Sequence, residues 1–358
     1  MNIVEATRRH EAWLKTITPL NQKHLALKHS LMKEGIFAFL RATFYRWTQI
    51  WSEVCLDLRA APKVLAIGDI HIENFGTWRD SEGRLIWGVN DFDEAYPLPY
   101  TNDLVRLATS AELAIAENRL ALRLKEACEA ILSGYLEGLK AGGEPFVLEE
   151  DHQKLRAMAF NSERNPRRFW QKLMEQEKTK GTIPASVSKI FDEVMPKSRL
   201  PYQLLSRVSG LGSLGRFRVV AIADWSGGKI AREVKALAPS AHVWAQNLSG
   251  QHTIYYPSML AKVVRAQDPF VSVKGSWIAR RLSPHCCRIE MDELPKKRDE
   301  YRLLRAMGWE TANIHLGSRG RVSAIQRDLA KRPDGWLHNA ALAMAKATTR
   351  DWNEWKKT

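Results

Sequence analysis

The residues best able to do chemistry are oxygen-bearing side chains collected between positions 69 and 93. Asp69 and Asn74 are separated by four residues, and Asp91 and Asp93 follow one hairpin later. In phosphoryl transfer an aspartate orients the hydroxyl that is phosphorylated, while an asparagine and a second aspartate hold Mg²⁺ against the phosphates. The spacing therefore predicts Asp69 as the catalytic base or orienting group, with Asn74 and Asp91 as magnesium ligands. Asp93 is predicted as a further ligand, with a surface acid as the alternative.

A second group of residues with a chemical use is glycine-rich and lies far downstream. Gly210, Gly212 and Gly215 form a GxGxxG pattern that also contains Ser213. A dinucleotide-binding pattern of this kind opens a helix, whereas a kinase glycine loop joins two antiparallel strands over a triphosphate. The residues that follow are rich in Val and Ile, which favours strand, loop and strand. Lys235 then falls on the third strand, so these five residues are predicted to bind the phosphates of ATP.

The elements that must position these residues follow from the apolar pattern. The predicted strands cover 64–67, 85–89, 217–223 and 230–237, with a loop from 68 to 76, and helical stretches cover 103–139 and 298–316. The first two strands each end where an acid stands, which brings their oxygen ligands to one place. Asn102 or Asp103 is predicted to cap its helix rather than to bind metal.

Charge is distributed unevenly along the chain. The 358 residues have a formal net charge of +14, yet residues 69–117 carry ten Asp and Glu against three Lys and Arg. A cluster of carboxylates in a basic chain is poorly suited to holding a polyanion directly. It is well suited to a divalent metal that in turn holds a phosphate.

Length and composition indicate about two domains in a cytoplasmic protein. No apolar run approaches the roughly 20 residues that span a bilayer, and the N-terminal residues carry charges where a signal peptide needs apolar ones. The four cysteines are too few and wrongly spaced for a zinc site. We therefore expect reduced thiols and no membrane partner.

Two motifs resemble those of the protein-kinase-like superfamily, most closely its aminoglycoside-phosphotransferase branch. The HGDLHPGN-like loop of that branch is matched at Gly68, Asp69, His71 and Asn74, and its IDFxDA-like motif at residues 91–95. Ile67 stands where those enzymes usually have His. The resemblance implies a two-lobed α+β fold, ATP and Mg²⁺ as ligands, and a hydroxyl acceptor on a small molecule or a protein.

The order of the motifs differs from that of ordinary kinases, in which the glycine loop comes before the catalytic loop. Only 68 residues precede Asp69, and the glycine pattern and Lys235 follow it. The resemblance therefore implies a circularly permuted kinase-like fold, with a hinge-like connection near Glu290 and Glu293. Its parts are a large lobe at 1–200, a small β-rich nucleotide-binding lobe at 201–294 and a helical segment at 295–358 that returns to the large lobe. The same motif order, over about residues 30–320, also resembles a bacterial family defined only as a domain of unknown function.

Other classes of function stay open at this level. A metallophosphoesterase also uses GDxH followed by further acids, because such sites activate water between two metals, but it leaves the glycine pattern unexplained. A pseudokinase or a basic nucleic-acid-binding protein is the other alternative, and Glu233 and Ala236 beside Lys235 favour it. Trp352 and Trp355 could stack on bases, although their helical spacing favours core packing. The acceptor, and the choice between phosphoryl and nucleotidyl transfer, stay unassigned.

Overall fold

The computed structural model describes residues 1–149, 152–159, 165–179, 182–248, 250–286, 288 and 299–358. The described residues form many helices and many strands, so the predicted α+β class is confirmed. The helices are α1 (Ile3–Ile17), α2 (Gln22–Glu34), α3 (Ile36–Ala42), α4 (Phe44–Val54), α5 (Tyr100–Ala116), α6 (Leu124–Ala141), α7 (Gln153–Ala159), α8 (Pro166–Met174), α9 (Ala185–Val194), α10 (Ala241–Ala245), α11 (Tyr256–Lys262), α12 (Glu300–His315), α13 (Val322–Leu329) and α14 (Trp336–Trp355). The strands are β1 (Lys63–Ala66), β2 (Phe75–Arg79), β3 (Leu85–Val89), β4 (Tyr96–Pro99), β5 (Phe146–Val147), β6 (Gln203–Ser206), β7 (Arg218–Trp225), β8 (Gly228–Ala236), β9 (Ser272–Lys274) and β10 (Trp277–Leu282).

The helical core is built on the close pair α6 and α12, with α5 and α14 packed nearby. Glycines let the two backbones touch. A Cβ atom placed on Gly308 of α12 would lie 2.0 Å from the Ile131 carbonyl oxygen, and one on Gly134 of α6 would lie 1.8 Å from the Arg305 carbonyl oxygen. Helices from the end of the chain therefore complete a core begun by α3 to α6.

The helical stretch predicted over 103–139 is two helices, α5 and α6. Asn118 has φ of 57°, a left-handed conformation that cannot continue α5. Helix α6 then begins after Arg123, whose backbone N–H donates to the Glu126 carboxylate at 2.9 Å. The break lets the chain reverse so that α6 packs against α5.

The strands form three antiparallel sheets. β1 pairs with β4, β3 lies between β2 and β5, and the third sheet has the order β6-β7-β8-β10-β9. The four predicted strands correspond to β1, β3, β7 and β8, with ends shifted by one or two residues. The predicted loop from 68 to 76 is slightly too long, because Phe75 already pairs with Val89 across the β2–β3 hairpin.

The five-stranded sheet buries both of its faces, and side chains alternate between them. On one face Val219, Ala221, Val234 and Ala279 pack with Val187 and Phe191 of α9. On the other face Val220, Ile222, Ala231 and Leu282 pack with Leu173 of α8. Glu233 and Lys235 share the second face because each is an even number of residues from Ala231.

Three further predictions concern membrane-spanning helices, the C-terminal tryptophans and the hinge-like connection. None of the described helices is long and apolar enough to cross a membrane. Trp352 and Trp355 donate their indole N–H groups to the backbone carbonyls of Met32 and His29, at 3.1 and 3.3 Å, so their packing against α2 agrees with the core interpretation. The predicted hinge residues Glu290 and Glu293 lie outside the described residues, and helix α12 begins at Glu300.

Candidate active site

The loop that carries Asp69 is held from below by the buried carboxylate of Asp103. Asp103 Oδ2 accepts the Ile67 N–H at 2.7 Å, and its Oδ1 accepts the Gly68 N–H at 3.0 Å. The prediction that Asn102 or Asp103 caps its helix is wrong. The N-cap of α5 is Pro99, without a side-chain cap, and Asp103 serves the backbone of another segment instead.

A buried histidine completes this support. His315 Nε2 lies 3.0 Å from Asp103 Oδ2, and its Nδ1 lies 2.8 Å from the Tyr135 hydroxyl group. All three residues are buried. These contacts give His315 a structural role, because the ring lies between two buried partners behind the loop.

Asn74 ties the two acidic loops together. Its Nδ2 donates to the backbone carbonyls of Asp69 at 3.2 Å and Asp91 at 3.1 Å. The Asn90 N–H donates to the Asn74 carbonyl at 2.9 Å. The side-chain amide nitrogen of Asn74 donates both of its hydrogen bonds to backbone carbonyls. The side-chain amide oxygen is therefore the atom of Asn74 available as a metal ligand.

The Asp69 carboxylate is paired with Arg106, a residue that no motif marked. Arg106 Nε donates to Asp69 Oδ1 at 3.0 Å, and Nη2 contacts the same oxygen and donates to the Leu40 carbonyl at 3.0 Å. The guanidinium group also lies 5.0 Å from the Phe44 ring centre and 4.9 Å from that of Trp47. Burial raises the pKa of Asp69, and Arg106 opposes that rise. The sequence feature that could have indicated this role is the presence of an arginine among the apolar residues of α5.

Lys235 of β8 reaches the second acidic loop. Its Nζ lies 2.9 Å from Asp91 Oδ2 and 2.7 Å from both oxygens of Asp93. Lys235 is only 1% exposed, so this contact is sheltered from water. Burial opposes ionisation of Asp91, yet Lys235 holds the pKa of Asp91 below its usual value. Burial and the charge of Asp91 raise the pKa of Asp93. The sequence did not indicate an ion-pair partner for Lys235. In the structure its partners are Asp91 and Asp93.

Glu233 is neutralised by arginines instead of competing for Lys235. Arg207 donates to Glu233 Oε2 at 2.5 Å, Arg280 donates to Oε1 at 2.7 Å, and Arg218 donates to both oxygens. Burial opposes its ionisation, but Arg218, Arg280 and Arg207 hold the pKa of Glu233 well below its usual range. The carboxylate thus fixes three cations beside the cavity.

Residues 210–215, which we call the glycine loop, lie directly over Asp69. Gly210 has φ of 76°, and residues 211–213 form a single 3₁₀ turn. A Cβ atom on Gly212 would lie 3.0 Å from the Arg41 carbonyl oxygen and 3.4 Å from Asp69 Oδ2. Ser213 Oγ accepts a hydrogen bond from Arg218 at 2.8 Å. The absence of a side chain at Gly212 therefore allows the loop to approach the catalytic loop.

Two adjoining cavities surround these residues. The inner cavity, of about 90 Å³, is lined by the side chains or backbone of Asp69, Asn74, Asp91, Asp93, Gly210, Gly212 and Ser213. The outer cavity, of about 550 Å³, is bounded by apolar and basic residues that include Phe92, Val208, Tyr256 and Leu282. Asn90, Arg280 and Arg288 line both. Gly215 and Lys235 line neither cavity: Gly215 packs against Leu25 on the side of α2, and Lys235 contacts Asp91 and Asp93.

The oxygen donors of the inner cavity fit Mg²⁺. The Asn74 amide oxygen and the Asp91 carboxylate are hard ligands of the type that this ion prefers. Among the described residues, no three His, Cys, Asp or Glu are grouped as a metal cluster. Mg²⁺ does not need such a cluster, because it commonly uses one or two carboxylates together with waters and substrate phosphates. The set thus suits a metal that arrives with a phosphorylated ligand.

Comparison with known proteins gives a family. Residues 21–200 match the family described as "Uncharacterized protein conserved in bacteria (DUF2252)", and the chain belongs to it. The matched segment contains Asp69, Asn74, Asp91 and Asp93 and ends before the glycine loop. No curated protein and no solved structure matches the chain.

Proposed function

We propose that this protein is an ATP- and Mg²⁺-dependent phosphotransferase acting on a hydroxyl acceptor. The observation that carries the proposal is the 2.9 Å contact between Lys235 Nζ and Asp91 Oδ2. It joins the sheet that bears the glycine loop to the loop that bears the predicted metal ligands. In phosphoryl transfer a lysine on the phosphates and an aspartate on the metal must act at the same triphosphate.

The topology supports a permuted kinase-like arrangement. The glycine loop joins the antiparallel strands β6 and β7, and Lys235 lies on β8, the third strand in chain order. This is the arrangement in which a kinase glycine loop and lysine hold ATP. Helices α12 and α14 pack on α5 and α6, as expected if residues 295–358 complete a large lobe begun by residues 1–200. Residues 201–294 would then form the nucleotide-binding lobe.

Each residue has a separate task in the proposed reaction. Asp69 orients the acceptor hydroxyl and receives its proton, and Arg106 fixes the carboxylate in position. Asn74 and Asp91 would hold Mg²⁺, which neutralises charge on the transferred phosphoryl group when bound. Lys235 would exchange an aspartate partner for phosphate oxygens. The outer cavity has the volume and apolar wall to take the base, with Arg280 between it and the phosphates.

A non-catalytic nucleotide-binding protein is the second candidate, and the Asp69–Arg106 pair favours it. A carboxylate engaged by a buried guanidinium is a weaker proton acceptor, because the cation stabilises its charged form. In that case the protein would bind Mg²⁺-ATP without turning it over. Turnover and binding must therefore be measured separately.

The test is Mg²⁺-dependent ADP release from ATP, measured beside nucleotide affinity in the wild type and in single variants. Asp69→Ala is expected to lower turnover by at least about a hundredfold while nucleotide affinity changes by less than about threefold. Asp224→Ala is the matched control, because Asp224 forms an ion pair with Lys229 at 2.9 Å on the exposed β7–β8 hairpin. Equal turnover in wild type and Asp69→Ala would contradict the assignment. Tight binding with no turnover in the wild type would favour the second candidate.

A further inference from the structure

A group of cations lines the inner cavity without a part in the proposed nucleotide site. Lys28 comes from α2, Arg41 from α3, and Arg216 from the segment just after the glycine loop. Lys28 is 4% exposed and Arg216 is 6% exposed. We call these three residues the cation cluster. Two of its members come from helices α2 and α3 and the third from the segment before β7, whereas Lys235 lies on β8.

The hydrogen-bonding capacity of the cation cluster is largely unused. Lys28 Nζ donates to the Gly212 carbonyl at 3.2 Å. Arg216 Nε and Nη1 and Arg41 Nε are inaccessible and have no hydrogen-bond partner among the described residues. A buried donor without a partner costs about 1–3 kcal/mol, and more when it is charged. Such donors on residues that line one cavity therefore indicate a ligand with several acceptor atoms.

The nearby carboxylates do not neutralise the cluster fully. Arg216 Nη1 lies 3.5 Å from Asp93 Oδ2, and Arg216 Nη2 lies 3.4 Å from Glu94 Oε1, both long for an ion pair. Glu94 also accepts the Ala241 N–H at 2.6 Å. Burial lowers the pKa of Lys28 to about 8, and the charge of Glu11 opposes that shift.

The cluster is next to the proposed catalytic aspartate. Lys28 holds the Gly212 carbonyl, and the Cα of Gly212 is so close to Asp69 that a Cβ atom would lie 3.4 Å from Oδ2. Arg41 contacts Glu73, two residues from His71 in the same loop. An anion bound by the cluster would thus lie within a few ångströms of the group that orients the acceptor.

We propose that Lys28, Arg41 and Arg216 form an oxyanion subsite for a phosphate monoester carried by the acceptor. This rests on the proposed function, because it treats Asp69 as the group that receives the acceptor hydroxyl. The acceptor is then a phosphorylated small molecule with a free hydroxyl group. Phosphate is favoured over carboxylate because a phosphate monoester carries a charge of about −1.5 to −2 at pH 7, which matches three cations better than the single charge of a carboxylate.

The test uses inorganic phosphate as the probe and calorimetric titration of the full-length protein at pH 7, with and without saturating Mg²⁺ and the non-hydrolysable ATP analogue AMP-PNP. Phosphate is expected to bind in both conditions, and acetate at least about tenfold more weakly. Lys28→Met should weaken phosphate binding by at least about tenfold. Lys33→Met is the matched control, because Lys33 is exposed on the same helix. Arg216→Met is the second variant, with the same expected loss of phosphate binding.

Three results would overturn the subsite. These are competition between phosphate and Mg²⁺-AMP-PNP, equal phosphate affinity in wild type and Lys28→Met, and no binding of phosphate by the wild type. Equal binding of acetate and phosphate would overturn the assignment to a phosphate monoester. Failure of the proposed function is a different result. In that case Mg²⁺-AMP-PNP fails to bind while Lys28-dependent phosphate binding persists, and the oxyanion subsite stands without the nucleotide.

Discussion

Lys235 Nζ lies 2.9 Å from Asp91 Oδ2, although the two residues are 144 positions apart in the chain. The contact joins the five-stranded sheet to the loop after β3, and Asp93 shares it. In this arrangement an ammonium group is the counter-ion of the carboxylates assigned to Mg²⁺. If the proposed function holds, lysine and metal would compete for the same oxygens until phosphates provide new partners for both.

Removing that ammonium group is expected to strengthen binding of free Mg²⁺ and to weaken binding of ATP. In Lys235→Met the carboxylates of Asp91 and Asp93 lose their cationic partner, so we expect Mg²⁺ affinity without nucleotide to rise by about tenfold. ATP affinity should fall by at least about tenfold, because a buried charge contact with phosphate is lost. Calorimetric titration with MgCl₂ and then with ATP measures both.

The matched control for this substitution is Lys229→Met on the same strand. Lys229 is exposed and pairs with Asp224, so its removal should change neither affinity measurably. A Lys235→Met protein whose Mg²⁺ affinity is unchanged or lower would show that lysine and metal do not share the aspartates.

The support under the catalytic loop makes a prediction about stability. Asp103 accepts hydrogen bonds from Ile67 and Gly68 and contacts His315, whereas an amide would turn an N–H group toward one of these donors. Asp103→Asn should therefore lower the free energy of unfolding by about 2–4 kcal/mol. Urea denaturation followed by circular dichroism measures it, with the exposed Asp224→Asn as control. Equal losses in the two variants would refute the role given to Asp103.

The contact between α6 and α12 predicts an unusual response to alanine. Glycine to alanine in a helix ordinarily stabilises by about 1 kcal/mol. At Gly308 the added Cβ would meet the Ile131 carbonyl oxygen, so we expect Gly308→Ala to destabilise by about 2–4 kcal/mol. Gly320→Ala meets no atom within 4 Å and should change stability by less than about 0.5 kcal/mol. Thermal unfolding of both variants tests the predicted order, and a more stable Gly308→Ala would contradict the packing described.

Stability should also depend on pH through Glu310. Burial raises the pKa of Glu310 to about 7 in the folded protein, from an ordinary 4.5. Between these values the unfolded chain has released the proton that the folded chain keeps, so the free energy of unfolding falls as pH rises from about 4.5 to 7. The loss is at most about 3 kcal/mol. In Glu310→Gln this part of the slope should disappear. Urea denaturation at several pH values measures it, with the exposed Glu82→Gln as control, and an unchanged slope in Glu310→Gln would refute the assignment.

Local features of the fold were predictable from the sequence because they depend on neighbouring residues. Short apolar runs next to turn residues located β3 and β8, and acids directly after strands located Asp69 and Asp91. Contacts between distant segments were not predictable in this way. Nothing near Asp103 indicates that its carboxylate binds the backbone at Ile67, since any buried acid at the start of a helix resembles a cap.

The cations of the site were the larger omission. Arg106 and Arg216 lie in no motif, and their roles arise only when α5 and the glycine loop are brought beside Asp69 and Asp93. The partner of Lys235 was missed for a related reason. Asp91 and Asp93 had been assigned to Mg²⁺ from the sequence, so neither was considered as an ion-pair partner of Lys235.

The central claim is that the two adjoining cavities bind ATP together with Mg²⁺, with the phosphates in the inner one, and calorimetric titration of the purified protein with ATP, with and without Mg²⁺, tests it most directly. The account predicts binding that is strengthened by at least about tenfold by Mg²⁺ in the wild type and in Asp224→Ala, and a loss of that Mg²⁺ effect in Asp91→Ala. Absence of ATP binding by the wild type, or an equal Mg²⁺ effect in Asp91→Ala, would contradict it.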